Sequence, residues 1–234
     1  MMIRTVASTV STNDDVAALA RAGAPEGTWQ RAEVQSGGRG RHGRVWQSPP
    51  GNLYASTIVR PLAGDPPPAT LALTAALALD ELLAAYLGPE RLMIKWPNDL
   101  LADGAKISGI LLEGVAGAVV VGIGVNLAHH PVDIDRLATS VAALAGAAPD
   151  AQAFADDLAT AFARWVALWR QGLDGIVARW LARAHPLGTP LAVSDAAGER
   201  IEGLFDGLDA TGALRLRLAD GGSHVMHAGD VFLL

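Results

Sequence analysis

Residues 106–126 read KISGILLEGVAGAVVVGIGVN, and two apolar runs in this stretch decide the fold. Ile107–Glu113 and Ala118–Val125 are rich in β-branched and other apolar residues, and a glycine-containing turn separates them. Short apolar runs bounded by turn residues are typical of core strands. Leu92–Trp96 has the same character, and the hairpin-type dipeptide Asp103-Gly104 follows it. The patterns therefore predict three successive strands of one buried sheet.

Further strands and helices flank this centre. The predicted elements are strands over Thr28–Gln35 and Leu53–Val59, a capped helix that begins after Ser11, a helix over Thr70–Leu87 and a helical block from about Ala151. Aromatic residues recur at helical spacing in the last block, and we assign them to the core. Together these elements predict an α+β fold.

The chain changes character after Pro186. Five short apolar runs broken by Gly, Asp and Thr follow, at Leu191–Val193, Arg200–Phe205, Ala213–Leu218, His224–Met226 and Val231–Leu234. This pattern is typical of a small all-β barrel. We therefore predict two domains, residues 1–186 and residues 187–234.

Composition excludes several classes of protein. Half of the 234 residues are hydrophobic and 18% are charged, which excludes an intrinsically disordered chain. The absence of Cys excludes disulfides, thiolate metal sites and a cysteine nucleophile. A formal net charge of -6 argues against a protein that coats nucleic acid. No signal peptide is evident, and the longest uncharged stretch, Gly114–Ala128, is shorter than the roughly 20 residues of a spanning helix. We expect a cytoplasmic protein without membrane contact.

Lysine and asparagine are scarce and therefore informative. Of the 18 basic residues, 16 are Arg and only Lys95 and Lys106 are Lys, while the chain has four Asn. Where the chain keeps Lys although it otherwise uses Arg, we expect the site to require a compact point charge rather than a planar guanidinium.

The segment Gly38–Arg44 places Arg residues between glycines. Its three spaced glycines match a dinucleotide fingerprint only weakly, because Pro49 and Pro50 prevent the helix that this motif requires. The residues favour a loop that clamps a phosphate or a carboxylate. A solvated basic turn and a flexible RNA-binding tract are the alternatives.

Two further groups lie at predicted strand ends. Lys95-Trp96-Pro97-Asn98-Asp99 joins a cation, an aromatic ring and two polar side chains where ligands commonly bind. Lys106 begins the next strand, and Gly109 leaves room there for a ligand or another backbone. Asn126 ends a strand, and an ordinary turn Asn is its simpler interpretation.

Five motifs in this order resemble the motif series of the biotin-protein ligases. They are Ser11-Thr12-Asn13, Gln35 with Gly38–Trp46, Lys95–Leu100, Lys106–Glu113 and Gly122–Asn126. The resemblance covers nearly the whole chain. It implies a mixed-sheet catalytic domain of the class II synthetase-like biotin/lipoate ligase type, followed by an SH3-like β-barrel.

The resemblance also implies a two-step reaction. Biotin is activated by ATP with Mg²⁺ as biotinyl-5′-adenylate, and the biotinyl group then passes to one lysine of a biotin carboxyl carrier domain of a biotin-dependent carboxylase. Lys106 and Arg41 are the implied catalytic residues. The implied biotin site comprises Ser11, Thr12, Asn13, Gln35, Gly38, Arg39, Gly40, Arg41, Lys106 and Gly109. The implied ATP and adenylate site comprises Arg39, Arg41, Arg44, Trp46, Lys95, Asn98, Lys106 and Asn126, with Asp99 as the metal-side carboxylate.

The chain departs from the family pattern at both ends. Only ten residues precede Ser11, so we expect no N-terminal DNA-binding domain, no DNA partner and no repressor function. The chain stops at Leu234, where some relatives carry a basic residue that helps to hold ATP. For Ala118–Val125, pairing across a homodimer and a central place in its own sheet both stay open. A lipoate or octanoate ligase is the nearest rival function, and a non-catalytic nucleotide- or RNA-binding module is the rival from another class.

Overall fold

A computed structural model describes residues 3–132, 137–194 and 199–234. The larger sheet has seven strands: β1 (Ile3–Thr9), β2 (Trp29–Gln35), β3 (Leu53–Val59), β4 (Leu92–Lys95), β5 (Asp99–Ala102), β6 (Ala105–Val115) and β7 (Ala118–Val125). Their order is β1-β2-β3-β7-β6-β5-β4, and only β1 and β2 run parallel. The sheet is therefore mixed, as the resemblance implied.

The strand β7 lies at the centre of this sheet. It pairs antiparallel with β3 on one side and with β6 on the other. Both edges of β7 are thus used within the chain, which excludes the alternative that Ala118–Val125 pairs across a dimer. Its continuous apolar sequence follows from burial on both faces.

In the described part of the chain, five α-helices accompany the sheet: α1 (Thr12–Arg21), α2 (Leu71–Leu87), α3 (Val141–Ala145), α4 (Ala151–Trp169) and α5 (Asp174–Leu181). Helices α2 and α4 share the main hydrophobic core with one face of the sheet. Helix α1 packs Val16 and Ala20 against Ile58 and Val120, in a separate cluster. This packing holds the N-terminus of α1 next to β3 and β7, where the polar triplet begins.

One helical segment, Pro68–Leu87, is long and apolar enough to cross a membrane by length and composition alone. Asp80 and Glu81 interrupt its apolar sequence, so a search for uncharged stretches misses it. In the structure 72% of its most apolar window is buried, and α2 packs against α4. It is a core helix.

The second sheet is antiparallel and has five strands: β8 (Pro190–Ser194), β9 (Arg200–Leu208), β10 (Leu214–Arg217), β11 (Ser223–Met226) and β12 (Asp230–Leu233). Their order is β11-β10-β9-β8-β12. This confirms the small all-β unit. Its buried residues Leu191, Phe205 and Leu214 belong to the same hydrophobic cluster as α2 and α4. The boundary between residues 186 and 187 stays a proposal.

Two strands and one helix were missing from the sequence-based prediction. Strand β1 lies at a sheet edge and is mostly exposed, so it shows no apolar run. Strand β5 has only four residues and follows Asn98 directly. Helix α3 has five residues and is shorter than two turns, which leaves no periodicity to detect.

Candidate active site

One cavity of 490 Å³ brings the five motifs together. Fifteen of the predicted site residues line this cavity: Ser11, Thr12, Asn13, Gln35, Arg39, Gly40, Arg41, Arg44, Trp46, Lys95, Asn98, Asp99, Lys106, Gly109 and Asn126. Gly38 does not line the cavity, but its carbonyl accepts a hydrogen bond from the amide of Trp46. The volume lies within the range of small-molecule sites.

The polar end of the cavity lies at the N-terminus of α1. Gln35 Oε1 accepts a hydrogen bond of 2.8 Å from the Thr12 amide, so β2 and α1 are tied at this point. Gln35 Nε2 donates to Ser48 Oγ at 3.1 Å, and Ser48 Oγ donates to the carbonyl of Trp46 at 3.0 Å. Thr12, Asn13 and Gln35 therefore form part of a fixed hydrogen-bonding wall.

The segment Gly38–Arg44, here called the arginine loop, closes over this wall as a short hairpin. Arg39 and Val45 form an antiparallel bridge, and the Gly40 amide donates to the carbonyl of Arg44 at 2.7 Å. The turn at the tip uses left-handed backbone at His42 (φ 57°) and Gly43 (φ 71°). Glycine tolerates that conformation, so the glycine spacing serves the turn.

The guanidinium of Arg39 is paired with two carboxylates of the protein. It donates to Asp14 at 2.6 and 2.8 Å and to Glu113 at 3.0 Å. These contacts, led by the hydrogen bond to Asp14, raise the pKa of Arg39, and the same hydrogen bond lowers the pKa of Asp14. Direct contact of Arg39 with a substrate carboxylate or phosphate requires it to exchange these partners.

Arg41 and Arg44 instead reach the C-terminal barrel. Arg41 Nη1 donates to the carbonyl of Gly229 at 2.9 Å, and Arg44 forms an ion pair with Asp230. Arg41 lines the cavity, and partial burial lowers the pKa of its guanidinium. The hydrogen bond to Asp230 raises the pKa of Arg44. The barrel therefore holds the far side of the loop.

Lys106 lines the cavity beside Asp99 and Trp46. Its Nζ donates to Asp99 Oδ1 at 2.6 Å and lies 5.5 Å from the centre of a Trp46 ring. The bend that brings Asp99 and Lys106 together is the hairpin of β5 and β6, whose turn is Asp103-Gly104. A cation beside an aromatic face is an attractive arrangement of about 0.5–2 kcal/mol.

Gly109 and Gly124 make room for the Trp46 indole. They are directly paired across β6 and β7. A Cβ on Gly124 would lie 2.6 Å from Cε2 of Trp46, and a Cβ on Gly109 would lie 3.2 Å from its Cζ3. Gly124 in the Gly122–Asn126 motif thus has a steric explanation, because a Cβ there would overlap the Trp46 ring.

Lys95, Asn98 and Asn126 also line the cavity. Asn98 Nδ2 donates to the carbonyl of Ile110 at 2.7 Å, and Asn126 Nδ2 donates to the carbonyl of Thr139 at 3.0 Å. Both amides therefore support the backbone near the cavity, and the turn interpretation of Asn126 gains weight. Burial and the charge of Lys95 lower the pKa of His185.

Asp99, the predicted metal-side carboxylate, is the ion-pair partner of Lys106. Among residues 3–132, 137–194 and 199–234, no group of three or more His, Asp or Glu residues is arranged to hold a metal. The donor set therefore does not form a protein cage for Mg²⁺, and the metal role of Asp99 stays a prediction.

Several site residues carried no recognisable signal in the sequence. Glu113 and Ser56 contact Asn13, and Gly229 and Asp230 contact the arginine loop. Glu113 belongs to the Lys106–Glu113 motif, but no role was predicted for it. Asp230 is 186 residues from Arg44 in the sequence. These contacts become visible only in the folded structure, where the two sheets bring the residues together.

Comparison with known proteins supports the same grouping. The model of the Biotin/lipoate A/B protein ligase family matches residues 6–128, and that of the Biotin protein ligase C terminal domain matches residues 192–234. A biotin--[acetyl-CoA-carboxylase] ligase of Paracoccus denitrificans is 44% identical, with 97% of this chain and 98% of the relative covered. One of Mycobacterium tuberculosis is 36% identical, with 97% and 86% covered.

Solved structures agree at the level of the fold. The biotin protein ligase of Aquifex aeolicus, in complex with biotin and ATP, superposes with a TM-score of 0.88 over 99% of each chain, at 23% identity. The biotin protein ligase of Leishmania major, in complex with biotinyl-5-AMP, gives a TM-score of 0.70 over 97% of this chain and 98% of that one, at 24% identity. With the family models and the curated relatives, these findings establish that the chain belongs to the biotin/lipoate A/B protein ligase family and is a ligase of its biotin protein ligase branch.

Proposed function

We propose that this protein activates biotin with ATP as biotinyl-5′-adenylate and transfers the biotinyl group to one lysine of a biotin carboxyl carrier domain. One observation carries the proposal. A fixed polar wall at Thr12 and Gln35 shares a 490 Å³ cavity with the Lys106 ammonium and the arginine loop. That arrangement suits a ligand with a polar head at one end and a carboxylate at the other.

The polar wall suits the ureido head of biotin. Ser11, Thr12 and Asn13 are buried, and Gln35 reaches them from β2. A buried polar site that loses its hydrogen-bonding ligand is strongly penalised, so such a wall discriminates between head groups. Lipoate and octanoate bring no ureido group to this end. The wall therefore favours biotin over these rival acids.

Lys106 is the proposed catalytic cation. The biotin carboxylate attacks the α-phosphorus of ATP, a new P–O bond forms, and the bond to the β-phosphate breaks with release of pyrophosphate. Charge develops on the α-phosphate oxygens in the transition state, and an ammonium held beside them stabilises it. The ion pair with Asp99 and the Trp46 ring hold the ammonium in place before the substrates arrive.

Arg41 and Arg44 are proposed to close the site over the phosphates. Their contacts to Gly229 and Asp230 support a closed loop anchored on the barrel. Closing the loop excludes water from a mixed anhydride that water would hydrolyse. Lys95, Asn98 and Asn126 complete the proposed ATP side at the rim.

Mg²⁺ supplies charge neutralisation of the triphosphate in this chemistry. Its usual ligands are one or two carboxylates together with substrate phosphates. Asp99 is the carboxylate of the cavity wall nearest to Lys106, and it is already paired. We therefore propose that the metal enters with ATP, and that Asp99 acts first on Lys106.

The second half-reaction needs an entering amine. The ε-amine of the carrier lysine attacks the carbonyl carbon of the adenylate, an amide forms, and AMP leaves. The proposal includes a carrier domain of acetyl-CoA carboxylase or of a related biotin-dependent enzyme, a cytoplasmic location, and neither DNA nor a membrane as partner. A homodimer stays open, but not through β7.

Pyrophosphate release tests the proposal. The protein is incubated with Mg-ATP and biotin, or with Mg-ATP and lipoate, and transfer to an apo carrier domain is followed in parallel. We expect release and transfer with biotin only. Release with lipoate and not with biotin would replace the proposal with the rival ligase activity.

A further inference from the structure

A chain of buried hydrogen bonds runs from Glu113 to Thr12. Asn13 Nδ2 donates to Glu113 Oε2 at 2.6 Å, and Ser56 Oγ donates to Asn13 Oδ1 at 2.6 Å. Ser56 Oγ lies 2.8 Å from Thr12 Oγ1. Thr12 and Asn13 are each 4% exposed and Ser56 is 0% exposed. Neither Glu113 nor Ser56 lines the cavity that Thr12 and Asn13 line.

The direction of donation along this chain follows from the charge of Glu113. An ionised carboxylate only accepts hydrogen bonds, so the Asn13 amide must turn its NH₂ group to Glu113 and its oxygen to Ser56. Arg39 stands 3.0 Å from the same carboxylate and supplies the balancing charge. The orientation of the Asn13 amide is therefore set from outside the cavity.

The same constraint fixes the two hydroxyl groups. Ser56 has a single proton and donates it to Asn13, so it accepts from Thr12. A second acceptor for the Thr12 hydroxyl is Gln35 Oε1, at 3.2 Å. In either case the proton of Thr12 points to a protein atom. Both lone pairs of the Thr12 hydroxyl are thus left for a ligand in the cavity that Thr12 lines, and only a donor can pair with them.

We propose that Glu113 and Ser56 are specificity-determining positioning residues, which fix the Thr12 hydroxyl as an acceptor for an N–H group of the ligand head. The inference rests on the proposed function, because the ureido group of biotin is the head that brings such N–H groups. It adds that the choice of an N–H over an isosteric oxygen is controlled by residues that do not touch the ligand.

Two cyclic carbamate analogues of biotin test this proposal. In each, a ring oxygen replaces one of the two ureido N–H groups. The wild-type hydroxyl of Thr12 presents a lone pair to that oxygen, and two facing acceptors repel each other. We expect the wild-type protein to bind biotin at least about tenfold more tightly than one of the two carbamates in calorimetry without ATP.

The variant Glu113→Gln relaxes the constraint without changing the side-chain shape. An amide both donates and accepts, so Asn13 is free to turn over and the chain to reverse. Thr12 is then able to donate to the ring oxygen. We expect the preference for biotin over that carbamate to fall to within about threefold. Ser56→Ala removes one link, leaves the contact of Glu113 with Arg39 intact, and is expected to reduce the preference by a smaller factor.

The preference ratio separates this role from a structural one. Loss of packing weakens biotin and carbamate equally and leaves the ratio unchanged, as does the control Glu202→Gln on the barrel surface. An unchanged ratio in both Glu113→Gln and Ser56→Ala, with biotin still bound, overturns the inference and leaves the proposed function intact. Absence of biotin binding to the wild type overturns both.

Discussion

Lys106 Nζ lies 2.6 Å from Asp99 Oδ1, a diagonal contact across the hairpin of β5 and β6, in which Lys106 pairs with Leu101 and Asp99 with Gly109. Only two lysines occur in the chain, and both line the cavity. A paired ammonium stabilises phosphate charge but is a poor nucleophile, since its nitrogen lone pair carries a proton. In the proposed reaction, Asp99 would therefore both position this cation and protect it from the reactive adenylate.

Asp99→Asn tests this double role. The amide keeps the shape but removes the charge partner of Lys106, so we expect adenylate formation to slow by about tenfold. We also expect biotinylation of Lys106 itself after incubation with biotin and Mg-ATP without carrier. Intact-protein and peptide mass spectrometry measures it. An unmodified Lys106 in the variant, or a modified Lys106 in the wild type, would contradict the protective role.

Arg41→Ala tests the closure of the loop. Arg41 joins the loop to Gly229 of the barrel at 2.9 Å, so its loss frees one side of the loop. We expect slow adenylate synthesis to continue and the intermediate to leave at least about tenfold faster, since a charged hydrogen bond contributes about 1.5–3 kcal/mol. Chase of labelled intermediate with unlabelled biotin gives the rate.

Asp230→Asn is the companion variant for the same loop. It removes the ion-pair partner of Arg44 and leaves the Gly229 carbonyl in place. We expect a smaller acceleration of release than for Arg41→Ala. An intermediate held by Arg41→Ala as tightly as by the wild type would remove the loop from its retention.

Gly124→Ala tests the steric bed of Trp46. The added Cβ would lie 2.6 Å from the ring, so the indole must move, and overpacking of this kind costs about 1–3 kcal/mol. We expect kcat/KM for pyrophosphate release to fall by at least about tenfold. Gly114→Ala is the matched control, because nothing lies within 4 Å of its added Cβ. Equal activity in the two variants would show that the indole position is irrelevant.

His185→Gln tests a buried titratable group below the site. Burial and the charge of Lys95 lower the pKa of His185 from its usual value of 6.5. Below that pH the unfolded chain binds the proton and the folded chain does not, so stability falls as pH falls. We expect a shallower loss of the free energy of unfolding between pH 7.5 and 5 in the variant. Urea unfolding measures it, with His224→Gln as control, and equal slopes in His185→Gln and wild type would contradict it.

The sequence predicted the centre of the fold well because apolar β-branched runs specify buried strands. The bounds of β3 and β7 agree with the predicted runs residue for residue. The prediction failed where burial gives no pattern, at the exposed edge strand β1 and the four-residue β5. Patterning therefore reports the middle of a sheet better than its edges.

The sequence allowed us to predict which residues line the site, but not which residues they pair with. Fifteen of the sixteen predicted site residues line one cavity. The pairing of Arg39 with Asp14 and Glu113, and that of Arg44 with Asp230, depends on strands far apart in the chain. No local spacing encodes such contacts, since the contacts of Arg39 form only when α1 and β6 pack beside the loop, and that of Arg44 only when the barrel does.

The most direct test of the central claim is the identity of the species formed from biotin and Mg-ATP without carrier. Biotinyl-5′-adenylate is identified by mass spectrometry of the extracted ligand, and its formation is timed in wild type and in Lys106→Ala. We predict the adenylate in the wild type and at least about 100-fold slower formation in the variant, with biotin affinity changed by less than about threefold. Absence of the adenylate from the wild type, or equal losses of rate and affinity in the variant, would contradict the account.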